Sequence, residues 1–272
     1  MIDLHLHTTA SDGSLSPADL VARATSAGIS TLAVTDHDTV AGLAEARAAA
    51  ALRRVRFVNG IEITAIEAGR DDHVLGYFFD PENAALVQFL VKQRTDRVRR
   101  VEEIAARLAA SGYPVDVTDV LRDGAAQGRS IGRPHLADAL IAAGHVRNRD
   151  EAFDRFLGHG CAAFVARRGA PAAEVVGVIK AAGGIASLAH PGLSRVDELI
   201  PSLAAAGLAA LEVRHSEHDA QTEARYRALA KSHGLAVSGG SDFHADNTAR
   251  APRLGFVSLS AAEFAALEAR RG

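Results

Sequence analysis

Short apolar, β-branched runs alternate with alanine-rich helical stretches along most of this chain, and most of the runs lead into a residue able to bind a metal. That repeat limits the fold more than any other feature. The runs cover residues 2–6, 32–35, 57–63, 73–79, 185–189, 210–213 and 236–239. Strand, ligand, loop and helix in that order is the rhythm of parallel βα units. In barrel-like α/β folds the reactive groups gather where strands run into loops, so the pattern predicts seven strands with the ligand-type residues on one face. Ser16 followed by Pro17 reads as the cap and first turn of a helix that Gly28 closes. Further helices are expected at about 39–54, 198–206 and 219–233.

Between about residues 82 and 168 the rhythm stops. A long helical run at 86–110 carries Lys92, Arg94, Arg97, Arg99, Arg100 and Arg107, and shorter helical segments follow at 117–126, 134–143 and 149–157. No convincing strand separates them. The expectation is a barrel built from residues 1–81 and 169–272, with an inserted helical subdomain at 82–168. The basic residues of the long helix are interspersed with Asp96, Glu102 and Glu103, which predicts a solvated, salt-bridged face rather than a nucleic-acid groove.

A chain of 272 residues, 48% of them hydrophobic, can bury a full core as one large domain or a domain with an insertion. A lone cysteine, Cys161, excludes an internal disulfide framework and a thiolate metal cluster, so any metal must use His, Asp and Glu. No apolar run reaches membrane-spanning length, and the first residues lack the basic-then-apolar layout of a signal peptide, so a cytoplasmic location off the membrane is expected. A net charge of -3 gives no global attraction for phosphates, and any anion grip must be local. Neither a phosphate-cradling Gly-x-x-x-x-Gly-Lys loop nor a Gly-x-Ser-x-Gly elbow is present, which disfavours P-loop chemistry and acyl transfer on serine.

Nine residues carry the candidate chemistry: His5, His7, Asp12, His37, Glu62, His73, His190, Asp242 and His244. In His5-Leu6-His7 an extended backbone puts both imidazoles on one side. Asp12 follows in a small-residue loop that can fold back beside them. His37 stands in Thr35-Asp36-His37-Asp38, where Asp36 and Asp38 read either as acceptors that orient the imidazole or as helix caps, the cap being the expected role of Asp38. Glu62 lies between Ile61 and Ile63 and must be paired, metal-bound or exposed. His73 opens an apolar run, His190 ends one at a proline turn, and Ser241-Asp242-Phe243-His244 repeats the spacing of two. Imidazole and carboxylate donors suit borderline divalent metals, and nine of them suffice for two or three ions and for phosphoryl hydrolysis.

These motifs, His5-Leu6-His7, Thr35-Asp36-His37-Asp38, Gly60-Ile61-Glu62, His73, Ala189-His190-Pro191 and Ser241-Asp242-Phe243-His244, resemble those of the PHP family, the polymerase and histidinol phosphatase metallophosphoesterases. The resemblance spans residues 1 to about 80 and 170 to 245. It implies a distorted seven-stranded (β/α) barrel and two or three divalent ions, manganese, iron or zinc. One ion would take His5, His7, Glu62 and Asp242; a second would share Glu62 and add His73 and His190; a third would take Asp12, His37 and His244. The segment Ile131-Gly132-Arg133-Pro134-His135-Leu136 is similar to that of family members acting on 3′,5′-nucleoside bisphosphates and short RNA 5′ ends. By that comparison Arg133 would bind phosphate, although it also simply precedes a helix start, and His135 would contact phosphate or cap packing. Arg214 and His215 are expected to face the metals, Arg214 to hold phosphate and His215 to bind phosphate or act as general acid, with His218 as a competitor.

The resulting expectation is a phosphatase releasing the 3′-phosphate of a nucleoside bisphosphate, a small phosphorylated partner, with no membrane and no obligate protein partner. The alternatives are a histidinol-phosphate phosphatase, an exonuclease on short RNA, or a non-catalytic metal-binding structural module.

Overall fold

The computed structural model describes residues 1–245 and 254–271. Seven strands, β1 (Ile2–Asp3), β2 (Thr31–Val34), β3 (Arg56–Glu67), β4 (Arg70–Tyr77), β5 (Ile185–Leu188), β6 (Ala210–His215) and β7 (Ala236–Gly240), pair in chain order. The sheet nearly closes into a barrel. Across the seam, the Leu4 N–H reaches Gly239 O at 3.2 Å, the Asp242 N–H reaches His5 O at 2.9 Å and the His7 N–H reaches Phe243 O at 3.0 Å. Gly240 permits this approach, because a Cβ there would lie 2.3 Å from His5 N.

One strand departs from the all-parallel expectation. β4 runs antiparallel to both β3 and β5, while the other neighbouring pairs are parallel. The cause is local: Glu67 pairs with Arg70 across a two-residue turn, Ala68-Gly69, with φ of 48° and 80°. Two consecutive residues with positive φ make the tight hairpin that a right-twisted strand pair favours. The reversal places the first half of β4 at the barrel mouth, so His73 lies inside a strand and not at its end, opposite Thr64, which shares a face with Glu62. Glu62 likewise sits in the middle of β3.

Helices α1 (Pro17–Ser26), α2 (Leu43–Leu52), α3 (Ala84–Ala110), α4 (Thr118–Gln127), α5 (Arg133–Ala142), α6 (Arg149–Ala152), α7 (Ala172–Ala181), α8 (Pro191–Ser194), α9 (Ile200–Ala206), α10 (Ala220–Ser232) and α11 (Ala261–Glu268) complete the chain, with a π-helical turn at Phe153–Leu157. Helix α1 starts as expected, Ser16 Oγ accepting the Asp19 N–H at 3.1 Å. Leu6, Val34, Ile61, Ile63, Leu188 and Leu211 pack outward against α1, α2 and α7, while Leu75, Tyr77, Ile185 and Ala210 join a second apolar cluster with Phe264 and Leu267 of α11. A third core is made by Val101, Ile104 and Leu108 of α3 with Leu136, Leu140, Phe156 and Leu157.

Helix α3 belongs to both the first and third cores. Asn83 Oδ1 caps it by accepting the Ala85 and Leu86 N–H groups at 3.1 Å, and Leu86 and Leu90 of its first turns pack on the barrel. Its later turns pack within the helical core. Among the described residues no helix is long and apolar enough to cross a membrane.

Candidate metal centre

All nine ligand-type side chains meet at one end of the barrel. Alternation along the first strand's extension turns His5 and His7 inward, both fully buried, and buries Leu4 and Leu6 on the other side. Glu62, 1% exposed, stands at the middle. Its Oε2 lies 3.4 Å from the Nε2 atoms of His5 and His7 and 2.9 Å from His37 Nδ1. Its Oε1 lies 2.9 Å from His73 Nδ1 and 3.0 Å from His190 Nε2. Asp242 Oδ1 closes one group at 3.3 Å from His5 Nε2 and 3.2 Å from His7 Nε2. Asp12 closes another, 3.8 Å from His37 Nε2 and 3.4 Å from His244 Nε2.

Two observations show that this set fits divalent cations. His5 Nε2, both ring nitrogens of His7, Asp12 Oδ1, His37 Nδ1, Glu62 Oε2 and His73 Nδ1 are buried without a hydrogen-bond partner, and each such atom ordinarily costs about 1–3 kcal/mol. Donors held at about 2.1 Å from one tetrahedral ion stand about 3.4 Å from each other, close to the spacing of His5, His7, Glu62 and Asp242. The ionisation agrees. Although burial opposes it, the surrounding imidazoles hold Asp12, Glu62 and Asp242 well below the usual carboxylate range. Burial and the neighbouring His244 push His7 down to about 3, leaving it neutral. Burial would also lower His5 and His244, but the facing carboxylates win, raising His5 well above its ordinary value and His244 to about 10. A cation entering here competes with protons on those two rings.

The acids flanking His37 do not orient its ring. Asp36 accepts the Thr8 N–H at 2.8 Å, the Thr8 hydroxyl at 2.7 Å and the Ser11 hydroxyl at 2.6 Å, so it shapes the loop that delivers Asp12. Asp38 is not a helix cap. Fully buried at a φ of 50°, it accepts the Thr64 N–H at 2.9 Å and pairs with Arg97 at 2.7 Å and Arg167 at 2.6 Å.

That pairing opens a part of the site the sequence reading missed. A cleft of about 130 Å³ has Asp12, His37 and His73 on one side and Arg97, Arg100, Arg133 and Arg167 on the other, with Asp71 and Phe153 between. The expectation of a solvated basic face on α3 holds for Arg99, which pairs with Asp96 and Glu103. It fails for Arg97 and Arg100. At 3.6 residues per turn these continue the inward stripe of Leu86, Leu90 and Gln93, and that phase was the available signal. Arg100 donates to Val165 O at 2.8 Å and Asp71 at 3.1 Å, leaving its buried Nη2 without a partner, as is Arg167 Nε.

The substrate-side residues divide. Arg133 lines the cleft, 3.5 Å from Asp71 and 5.5 Å from the Phe153 ring centre, its pKa pushed down to about 10 by burial and by Arg100. His135 takes the Gly132 N–H on Nδ1 at 3.2 Å and lines a separate cavity with Arg129 and Ile131. Arg214 points away from the mouth, pairing with Glu223 at 3.3 Å and Glu263 at 3.7 Å. A β-bulge between Glu212 and Arg214 shifts the alternation so that Glu212 and His215 both turn inward. His215 is buried, its Nδ1 taking the Glu217 N–H at 3.2 Å and its Nε2 facing Asp242 at 3.4 Å, so it backs a site residue and does not open on the cleft. Both nitrogens of His218 are used, by Val213 O at 2.9 Å and the Gly192 N–H at 3.2 Å, which removes it as a proton donor to substrate.

The PHP domain model matches residues 3–122. Over 249 residues the chain is 36% identical to a 3′,5′-nucleoside bisphosphate phosphatase of Chromobacterium violaceum, covering 90% of this chain and 87% of that protein. It is 37% identical to a 5′-3′ exoribonuclease of Haemophilus influenzae, covering 89% of each. A solved structure from Bifidobacterium adolescentis, described as a metal-dependent phosphoesterase, superposes with a TM-score of 0.90 at 32% identity, covering 99% of this chain and 96% of that one.

Proposed function

This chain belongs to the PHP domain family of metal-dependent phosphoesterases, and within that activity we propose that it removes the 3′-phosphate of a 3′,5′-nucleoside bisphosphate. The observation that carries the reading is the cleft with two unlike anion grips on facing sides, a cation-fitting cluster and an arginine wall with unspent N–H groups. A substrate bearing two phosphates satisfies both.

In this reading residues 1–81 and 169–272 form the metal-binding barrel, of which 246–253 and 272 lie outside the described residues, and 82–168 supply the arginine wall. His5, His7, Glu62 and Asp242 hold one ion, Glu62, His73 and His190 a second, and Asp12, His37 and His244 a third, with manganese, iron or zinc suited to these donors. Bound cations would supply the Lewis-acid charge and activate water for attack on phosphorus. The protein's own groups do the rest. Arg133 offers a guanidinium fork matched to phosphate oxygens, and Arg100 Nη2 and Arg167 Nε lie unspent on the same wall. Phe153 and the π-helical turn close the cleft beside Arg133. The absence of a membrane-length helix among the described residues is compatible with a cytoplasmic enzyme.

The similarity to an exoribonuclease, no weaker than that to the phosphatase, supports a second reading in which the arginine wall holds the 5′-phosphate of short RNA. Phosphate release from adenosine 3′,5′-bisphosphate, 3′-AMP, 5′-AMP and histidinol phosphate, run beside a 5′-phosphorylated oligoribonucleotide, separates these. The expected result is kcat/KM for the bisphosphate about 10- to 100-fold above 3′-AMP, the worth of one or two charged hydrogen bonds to the second phosphate. Faster turnover of the oligonucleotide, or of histidinol phosphate, sinks the proposal. Metal-replete protein inert on every phosphoester would make the barrel a structural module.

A further inference from the structure

Strand β6 contributes none of the nine ligand-type residues, yet it carries a fully buried carboxylate at the back of the cluster. Glu212 spends its two oxygens on two different elements. The His5 Nδ1–H donates to Oε1 at 2.9 Å, and the backbone N–H of His190 donates to Oε2 at 2.7 Å. His5 belongs to the extension of β1, and His190 follows β5, so one side chain ties the first quarter of the barrel wall to its third.

Each contact has a separate effect. The hydrogen bond at Nδ1 leaves Nε2 as the nitrogen a cation would take and aims it at Glu62 and Asp242, which lie 3.4 and 3.3 Å from it. His190 adopts a φ of 25° and ψ of 56°, a conformation that a non-glycine residue seldom holds unaided. The bond to its N–H holds the backbone there, aiming the ring's Nε2 at Glu62 Oε1. The two imidazoles thus each face a different oxygen of Glu62, His5 facing Oε2 and His190 facing Oε1. The bulge at Val213 is what makes the arrangement compatible with the rest of β6. It leaves Val213 in the helix-facing core and Arg214 outside while keeping Glu212 and His215 inward.

We propose that Glu212 is a positioning residue for the metal centre, presetting His5 and His190 so that both donors face Glu62 before any cation arrives. The inference rests on the reading that the nine residues hold cations, and the experiment keeps the two apart. Zinc affinity of the full chain is measured by chelator competition for wild type, Glu212→Gln and, as a control for disturbance of the same buried layer, Tyr77→Phe, together with the melting temperature of each metal-free protein. Glutamine keeps the volume, but at most one of its two polar atoms can accept, so one of the two hydrogen bonds must break.

The expected result is about 10- to 100-fold weaker zinc binding for Glu212→Gln, with Tyr77→Phe close to wild type. The metal-free melting temperatures should lie within a few degrees of each other. Unchanged affinity in Glu212→Gln, or an equal loss in Tyr77→Phe, overturns the positioning role. Wild type that binds no zinc, manganese or iron instead overturns the metal reading itself. A second readout needs no variant to fold. In zinc-loaded wild type labelled on histidine nitrogens, the His5 Nδ1–H should appear as a low-field ring proton protected from solvent exchange, and its absence also overturns the inference.

Discussion

The two sides of the cleft solve opposite problems with the same kinds of atoms. On the barrel side, buried nitrogens and oxygens of His5, His7, Asp12, His37, Glu62 and His73 stand close together with no hydrogen-bond partner. On the helical side, Arg97, Arg100 and Arg167 are also buried or nearly so, but each is tied to Asp38, Asp71 or a backbone carbonyl. The first wall is incomplete as protein alone, and the second is largely complete. Removing a charge should therefore abolish activity on one side and fold stability on the other.

The sharpest test of the first half is Glu62→Gln. Loss of the charge and of one of the two oxygens that between them face five imidazoles should lower the rate of phosphate release by about 10³-fold or more, since cation charge is worth several kcal/mol in the transition state. The metal-free variant should lose less stability than Asp38→Asn does, because one of the two Glu62 oxygens has no hydrogen-bond partner to lose. A large fall in melting temperature would break the comparison. On the other wall Asp38→Asn leaves two buried guanidiniums uncompensated, and about 3–5 kcal/mol of stability should be lost in denaturant unfolding. If that variant unfolds like wild type, the arginine wall does not depend on its carboxylate.

Arg133→Ala should lower kcat/KM for a bisphosphate about 10- to 100-fold while leaving metal content intact, as read by elemental analysis. Arg214→Ala, by contrast, should keep kcat/KM within about twofold, its partners lying outside the barrel mouth at the surface. Equal losses in the two variants would return Arg214 to the site. The smallest effect concerns Glu151, whose pKa is lowered to about 2 from 4.5 by the backbone and side chain of Arg147 and by Arg155. A depressed carboxyl stabilises the fold above its unfolded pKa. The small advantage of wild type over Glu151→Gln should be present at pH 6 and fade as pH falls from about 4.5 towards 2, measured by thermal melts.

Much of the barrel side was legible in the chain because each donor sits in a short apolar run or just beyond one, where the surrounding residues leave it a single direction to face. His5-Leu6-His7 is readable by alternation alone, whereas Asp242-Phe243-His244 was marked by residue type and spacing, since Asp242 turns at a φ of 55° beyond the end of β7. The reversal of β4 was not, since its signal is only Ala68-Gly69 between two charged stretches. Arg97 and Arg100 were misread because alternating charge along α3 suggested a wet surface, whereas the helical phase turns one arginine stripe inward and leaves Arg99 outside. Arg214 was placed with His215 by its position at the end of a strand, whereas the bulge between Glu212 and Arg214 keeps only His215 inward, and a bulge leaves no mark in residue type. Glu212 was passed over although it carries the same signal as Glu62, an acid between apolar neighbours in a strand, and the same argument would have marked it.

A single unbroken helix, α3, is fixed at one end by Leu86 and Leu90 in the barrel and further along by Val101, Ile104 and Leu108 in the helical core, with Arg97 and Arg100 at the crossing. The gap between the arginines and the imidazoles is thereby held by a stiff strut and not by a loop. The width of the cleft is therefore set by aliphatic side chains packed well away from the charged atoms that line it.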